Sequence, residues 1–278
     1  MKGELMKSFC GISQHLKTRA PLGSIPRGVA VALLFAACSS VPAAEWGSLK
    51  GRFVFEGSPP EPATITADKD VAVCGKVKLI NEELSVSEDK GLANVVIFVR
   101  SKKVSVHPDL QDGSKAEPTV LDNKDCRFEP HVGFVQTGQT LTIKNSDPVG
   151  HNSNIATMKN APSNSLIPSS GATDVTFGRD EAIPASVTCN IHPWMKAFLV
   201  IRPNPYGAVS ATDGTFEIEN LPVGEELEFQ LWHEKGGYLD EFTLDGKKTK
   251  AKRGRIDLTV EAGGTDLGDI VLDSKIFK

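Results

Sequence analysis

The sequence predicts an all-β protein. Glycine and proline are frequent among its 278 residues, with 25 and 17 copies, and long helical patterns of apolar residues are absent. Short runs rich in β-branched and aromatic residues are separated by turn residues, which is typical of strands joined by tight connections. A hydrophobic content of 40% and a charged content of 24% indicate a chain that buries a core.

Residues 1–44 have the composition of a signal peptide. A basic leader precedes an apolar stretch at residues 29–37, which is too short to span a bilayer as a stable anchor. Residues 41–43, Val-Pro-Ala, have the small-residue pattern that a signal peptidase cuts. Residues 35–38 resemble a lipobox, so lipid attachment at Cys38 is the alternative. Cleavage and lipid attachment both predict export to the periplasm or cell envelope. A membrane would be a partner only if Cys38 is lipidated.

Removal of the leader makes the remaining chain more acidic. The leader holds five of the 31 basic residues and one of the 35 acidic residues, so the remainder has a net charge of −8. A phosphate backbone is bound mainly through Lys and Arg. The charge balance therefore argues against nucleic acid as a partner.

The first part of the exported chain predicts two strands, at residues 46–56 and 92–99. The first alternates apolar and polar residues and ends at a proline cluster. The second is a continuous β-rich run, as expected for a strand buried on both faces. Residues 107–118 contain Pro, Asp and Gly and are predicted to be a connection.

A second β unit begins near Pro118 and ends at Pro203. A tight turn at Thr137-Gly138 and a polar loop with a short helical turn at residues 152–170 are expected within it. Its predicted strands are residues 119–121, 131–136, 139–145, 174–179, 186–189 and 196–202. The last part of the chain returns to short strands, predicted at residues 216–218, 227–233, 255–260 and 269–272.

The first and last parts resemble one family of β-sandwich. Residues 51–57, Asp213-Gly214-Thr215-Phe216 and Leu221-Pro222-Val223-Gly224 are similar to carboxypeptidase regulatory-like, transthyretin-type domains. The resemblance implies an immunoglobulin- or transthyretin-like sandwich in two pieces, residues 45–110 and 206–278. Residues 111–205 would then be inserted into it or packed beside it.

One short segment carries most of the chemical information. Cys189, His192 and Met195 follow a Cys-x2-His-x2-Met spacing, and His151 lies 38 residues before Cys189. Any one of these residues alone would most simply be a packing residue. Together, a thiolate, two imidazoles and a thioether are the ligand set of a blue-copper electron-transfer site.

The segment between Pro118 and Pro203 resembles the cupredoxin family, amicyanin and plastocyanin among its members. Phe128-Glu129-Pro130, residues 147–152 and residues 189–195 match its opening, its first-histidine loop and its ligand loop, in the family order. The resemblance implies a Greek-key cupredoxin β-sandwich with one type 1 copper. Carried over by position, the metal ligands are His151, Cys189, His192 and Met195.

Further roles also follow from this resemblance. Asn152 would hydrogen-bond the backbone next to Cys189 and brace the site. His192 would lie near the surface beside Pro193 and Trp194. That edge would pass electrons and dock a redox protein partner whose identity the resemblance does not give.

Two cysteines remain if Cys189 binds metal. Cys74 and Cys126 then form a pair that an oxidising compartment would join, stabilising the fold by about 4 kcal/mol. The alternative is two buried free thiols.

These features predict single-electron transfer and no enzymatic activity. Four protein ligands leave no position open for a substrate, and a multicopper oxidase would need more than the six histidines present. The alternative is a cell-envelope binding or structural protein whose copper is structural or absent. A copper chaperone fits less well, because the chain has only four methionines. His131 is expected to be an ordinary strand histidine, and the alternative is that it is an extra metal ligand. His107 and His233 are expected to be structural or surface residues.

Overall fold

Strands dominate the computed structural model, which describes residues 45–101 and 103–278. The one α-helix in these ranges is a single turn, α1 (Val71–Cys74). The strands there are β1 (Trp46–Glu56), β2 (Val96–Val99), β3 (Thr119–Lys124), β4 (Arg127–Glu129), β5 (Val132–Gln136), β6 (Thr140–Asn145), β7 (His151–Ala156), β8 (Ser163–Ile167), β9 (Ala172–Thr176), β10 (Ala185–Thr188), β11 (Lys196–Arg202), β12 (Gly207–Val209), β13 (Thr215–Pro222), β14 (Glu226–His233), β15 (Gly237–Tyr238), β16 (Glu241–Leu244), β17 (Lys247–Lys250), β18 (Arg255–Thr259) and β19 (Thr265–Asp273). The all-β prediction is confirmed.

The expected signal peptide at residues 1–44, with its lipobox at Cys38, lies outside the described residues. Within the described ranges, no helix is both long and apolar enough to cross a bilayer. Short 3-10 turns occur at Pro108–Leu110, Gly113–Lys115, Lys252–Gly254 and Ser274–Phe277.

The strands form four sheets. Sheet 1 has the order β13-β1-β19-β16-β17, and sheet 2 the order β12-β2-β14-β15 with β18 also paired to β14. Both combine strands from the beginning and the end of the described chain. Sheet 3 has the order β5-β11-β10-β7-β8 and sheet 4 the order β4-β3-β6-β9, so strands between residues 119 and 202 pair only with one another in these sheets. Sheets 1 and 2 share one apolar core and are called the first sandwich, and sheets 3 and 4 share another and are called the second sandwich. The assignment of the first sandwich to a regulatory-like family stays a prediction.

Sheets 2 and 3 contact each other through their outer faces. Along β2, Ile97 and Val99 point into the core of the first sandwich, while Val96 and Phe98 join a separate apolar cluster. That cluster also contains Val200 of β11 and is completed from sheets 2 and 3 by Val132 and Trp232. Because side chains alternate along a strand, two buried faces require the continuous apolar run seen in this sequence.

One local expectation is wrong, and one is confirmed in a different setting. Residues 152–170 contain most of β7 and all of β8 instead of a loop with a helical turn, because the backbones of these two strands pair at the edge of sheet 3. The turn at Thr137-Gly138 is present, with the Gln139 N–H donating to the Gln136 carbonyl over 3.0 Å. It joins β5 in sheet 3 to β6 in sheet 4, however, and not two strands of one hairpin.

The segment between β1 and β2 reaches across to the second sandwich. Cys74, at the end of α1, forms a disulfide with Cys126 in the β3–β4 turn, as expected from the cysteine count. Glu82 lies 3.6 Å from Arg127. Cys74 and Cys126 form a small apolar cluster with Ala67 and Leu79, against which Trp194 packs. The segment therefore covers the end of the second sandwich where the predicted ligand loop lies.

Candidate metal centre

The predicted ligand loop closes the hairpin between β10 and β11. Thr188 and Lys196 are opposite each other in the ladder, so residues 189–195 must turn within one tight loop. The Met195 N–H donates to the His192 carbonyl over 2.9 Å, and the His192 N–H lies 3.4 Å from Cys189 Sγ. These bonds direct the side chains of Cys189, His192 and Met195 inward, where at most 2% of each is exposed.

His151 comes to the same place from the next strand. It is the first residue of β7, which pairs with β10 in sheet 3. Its ring centroid lies 4.5 Å from that of His192. One ligand atom each of His151, Cys189 and His192 lies within 4.8 Å of the others. Met195 is buried in the same apolar cluster as Cys189, so all four predicted ligands are at one end of the second sandwich.

A carboxylate holds each imidazole through Nε2. His151 Nε2 donates to Asp147 Oδ2 over 2.9 Å, and His192 Nε2 donates to Asp70 Oδ2 over 2.8 Å. In a neutral ring, a proton held on Nε2 in this way leaves the Nδ1 lone pair for a metal. His151 Nδ1 is buried and has no hydrogen-bond partner among the described residues, and His192 Nδ1 lies 3.7 Å from Cys189 Sγ. Carboxylate, histidine and metal are arranged in this order in many metal sites.

Asp147 is itself held in place by backbone and side-chain bonds. Its carboxylate accepts from the N–H groups of Asp125 and Cys126 at 2.8 and 2.9 Å. Asn145 Oδ1 accepts from the Asp147 N–H at 3.0 Å, and its Nδ2 donates to the carbonyls of Val149 and Ile167. The turn between β6 and β7 is thereby fixed around His151.

Asn152 braces the ligand loop from the side. Its Oδ1 accepts from the N–H of Asn190 at 2.7 Å and lies 3.3 Å from the N–H of Ile191. Cys189 Sγ is 3.4 Å from the same oxygen. The Asn152 amide nitrogen donates to Asn164 Oδ1 over 2.7 Å. The backbone contact beside Cys189 is the one that the cupredoxin resemblance implies for this residue.

The electrostatics favour a thiolate. Burial raises the pKa of Cys189, but the nearby His151 ring and the backbone N–H groups of Asn152 and His192 outweigh it and lower the pKa to about 6. Burial lowers the pKa of His151, but Asp147 and Cys189 raise it to about 9. The metal-free ring therefore also carries a proton on Nδ1 at neutral pH, which a bound metal would displace. Burial raises the pKa of Asp147, yet the bonds from His151 and the two backbone N–H groups leave it below the usual value. Soft metals bind the thiolate form of cysteine.

The donor set fits copper better than other first-row metals. It combines one thiolate, two imidazole nitrogens and one buried thioether, and Cys189 is the free cysteine of the described residues. Cys126, Asp147 and His151 also lie within 4.8 Å of one another. Cys126 is in the disulfide and offers no thiolate, so this second group lacks a strong ligand.

The predicted surface position of His192 is wrong. Its side chain is fully buried, because Asp70 covers Nε2 and Trp194 packs against the ring with centroids 5.2 Å apart. Pro193 is exposed, Trp194 is half-buried and Ile191 is 36% exposed. The surface at this end is therefore formed by neighbours of His192.

His131 lies apart from the cluster. Its Nε2 is 2.6 Å from Glu234 Oε2, and its ring packs edge-on against Phe198 where sheets 2 and 3 meet. His233 is buried against Phe277, and His107 accepts from the Asp109 N–H at the start of a 3-10 turn. None of the three lies in the metal-competent groups found among the described residues.

Two residues of the site were not predicted. Asp147 lies inside the first-histidine motif, four residues before His151, and the acid-to-histidine spacing was a usable signal. Asp70 lies 122 residues from His192 and has no local signal. Only the packing of the segment after β1 brings it to the site.

The chain matches no protein-family model and no curated protein sequence. Among solved structures it is similar to a copper-containing nitrite reductase from Thermus scotoductus SA-01, with 17% identity, 37% of this chain, 25% of that chain and a TM-score of 0.29. It is also similar to a purple cupredoxin from Nitrosopumilus maritimus, with 18% identity, 30% of this chain, 98% of that chain and a TM-score of 0.26. An amicyanin variant in the Cu(I) state has 17% identity over 38% of this chain and 97% of its own, with a TM-score of 0.28.

The chain thus spans about a quarter of the nitrite reductase and nearly all of each small copper protein. Every one of these TM-scores is below 0.5. The candidate metal centre is therefore identified by its side-chain geometry.

Proposed function

We propose that the protein is an exported type 1 copper protein that transfers single electrons. His151, Cys189, His192 and Met195 would be the ligands. The observation that carries the proposal is the arrangement of the two imidazoles. A carboxylate holds each ring through Nε2, and the Nδ1 atoms lie beside the one buried free thiol of the described residues. When bound, copper supplies one-electron exchange between Cu(I) and Cu(II).

The chain's own contribution is a site that moves little when charge changes. Asp147, Asp70 and Asn152 fix the two rings and the loop backbone through hydrogen bonds of 2.7–2.9 Å. Burial of all four ligands keeps water out. Because the ligands are held in place and water is excluded, the site would rearrange little at each electron transfer.

A non-enzymatic role is part of the proposal. Four protein ligands fill a type 1 site and leave no position for a substrate. A redox protein partner would dock near His192, Pro193 and Trp194, and the buried position of His192 means that Pro193 and Ile191 would make the contact. Export would place the protein in the periplasm or cell envelope, where the disulfide between Cys74 and Cys126 persists.

Copper titration of the purified protein tests this function. Cu(II) should produce an intense blue thiolate-to-copper absorption, and ascorbate should bleach it reversibly. Cys189→Ser should abolish the band. Met195→Leu should change its energy or intensity, whereas the matched control Met158→Leu should not, since 74% of Met158 is exposed.

The alternative role as a binding or structural protein makes a different prediction. Colourless protein, or colour that survives Cys189→Ser, would contradict the proposed site. Colour that cannot be reduced and reoxidised would favour a structural copper.

A further inference from the structure

Asp70 is an unusual carboxylate for its position. It precedes α1, where the side chain of an Asp ordinarily accepts from the helix backbone. Here its φ is 44°, and its side chain makes no capping bond. The carboxylate turns instead to His192 Nε2, 2.8 Å away, across the boundary between the two sandwiches.

The backbone of Asp70 is firmly anchored, although 42% of its side chain is exposed. Its carbonyl accepts from the N–H groups of Val73 and Cys74 at 2.8 and 2.9 Å. Cys74 is joined to Cys126 by the disulfide, and the Cys126 N–H donates to Asp147. Both carboxylates that hold imidazoles therefore adjoin the same covalent bridge.

We propose that Asp70 is a positioning residue for copper ligation by His192. This inference rests on the proposed function. By accepting from Nε2–H, Asp70 selects the tautomer whose Nδ1 lone pair faces Cys189. Its negative charge also stabilises the more highly charged ion, Cu(II), relative to Cu(I). The metal centre is thus completed by a segment outside the sandwich that holds the four ligands.

Two substitutions separate geometry from charge. Asp70→Asn is nearly isosteric and can still accept from Nε2–H, but it removes the charge. Asp70→Ala removes both. Asp68→Asn and Asp68→Ala are matched controls, because they change the charge equally. Asp68 is exposed and makes no hydrogen bond or ion pair with His192, whose carboxylate partner among the described residues is Asp70. Circular dichroism and thermal melts would verify that each full-length variant folds.

The first measurement is independent of metal. Nitrogen-15 NMR of the metal-free protein reports which nitrogen of His192 carries the proton. We expect Nε2–H in the wild type, in Asp70→Asn and in both Asp68 variants, and a mixture of tautomers in Asp70→Ala.

The second measurement is copper affinity in both oxidation states. Asp70→Ala should weaken Cu(II) binding by roughly 10- to 100-fold, as for loss of other partners of metal-bound histidines. Each tenfold loss of Cu(II) relative to Cu(I) raises the reduction potential by about 59 mV for a one-electron couple. Asp70→Asn should raise the potential with a smaller loss of affinity, and the Asp68 variants should stay within about twofold of wild type.

The outcomes distinguish the two proposals. An unchanged tautomer together with unchanged copper binding in Asp70→Ala would overturn the role of Asp70 while leaving the copper site intact. If the wild type binds no copper but the tautomer shifts in Asp70→Ala, the copper function fails and the positioning of His192 stands. If neither copper binding nor the tautomer shift is seen, both proposals fail.

Discussion

The two sandwiches bury different kinds of side chain. Of the buried polar residues in the described chain, Ser210, Gln230 and His233 lie on strands or turns of sheets 1 and 2, and Asn204 lies in the connection between β11 and β12. Eleven lie between residues 119 and 202, among them Asn145, Asp147, His151, Asn152 and His192. His192 is part of the ligand loop, and the other four lie around it.

This difference separates stability from function. A buried polar group gains little net stability even when it is fully hydrogen-bonded, whereas apolar burial stabilises in proportion to area. Nearly all buried side chains of the first sandwich are apolar. The second concentrates much of its polar burial around the ligand loop, as the proposed metal site requires.

The disulfide between the two sandwiches should have the largest effect on both. It closes a loop with a sequence separation of 52, so replacing Cys74 and Cys126 with Ser should lower the unfolding free energy by about 4 kcal/mol. Because Asp70 and Asp147 both adjoin the bridge, copper affinity should fall too. Denaturant titration and copper titration of the same variant measure the two losses. Lower stability with unchanged copper affinity would show that the carboxylates do not need the bridge.

The next effect concerns His233 in the first sandwich. Burial lowers the pKa of His233 to about 4. The unfolded chain binds the proton near the ordinary value, so the unfolded state holds more protons between these values and stability falls as pH drops. The loss should reach about 3 kcal/mol by pH 4, at about 1.4 kcal/mol per pH unit. His233→Asn does not titrate there, and its stability should change less over the same range. If denaturant unfolding gives the wild type and His233→Asn the same dependence of stability on pH, His233 is not the titrating group.

Removing the brace at Asn152 should affect the second sandwich alone. Asn152→Ala leaves the Asn190 N–H without its acceptor at 2.7 Å, at a cost of about 2 kcal/mol. The blue absorption should broaden because the loop carrying Cys189 is less ordered. Asn164→Ala is the control, since it removes only the partner of the Asn152 amide nitrogen. An equal change in both variants would mean that the whole amide pair, and not the loop contact, matters.

The smallest effect comes from a matched pair of core substitutions. Ile97→Val in the first core and Ile155→Val in the second should each cost about 1 kcal/mol in thermal or denaturant unfolding. Only Ile155, four residues from His151 on β7, should also shift the copper spectrum. A spectral shift with Ile97→Val would indicate that the two cores are mechanically coupled.

Local patterns were enough to predict some elements in full. β1 and β11 have the predicted limits. A proline cluster follows β1, and Pro193 and Pro203 flank the apolar run of β11. Residues 152–170 misled the prediction, since their polar side chains suit an exposed edge as well as a loop. β16 and β17 were missed for a related reason: their charged residues form a solvent-facing hairpin whose strand character comes from pairing with sheet 1.

The sequence by itself determined the donor set and the loop that holds three of its members. Seven residues between two paired strands leave few ways to turn, so spacing alone predicts that Cys189, His192 and Met195 meet. Tertiary structure decided how the site is closed. The burial of His192 and its bond to Asp70 depend on where a segment 122 residues away packs, and that packing is set by the disulfide and by apolar contacts that no local pattern records.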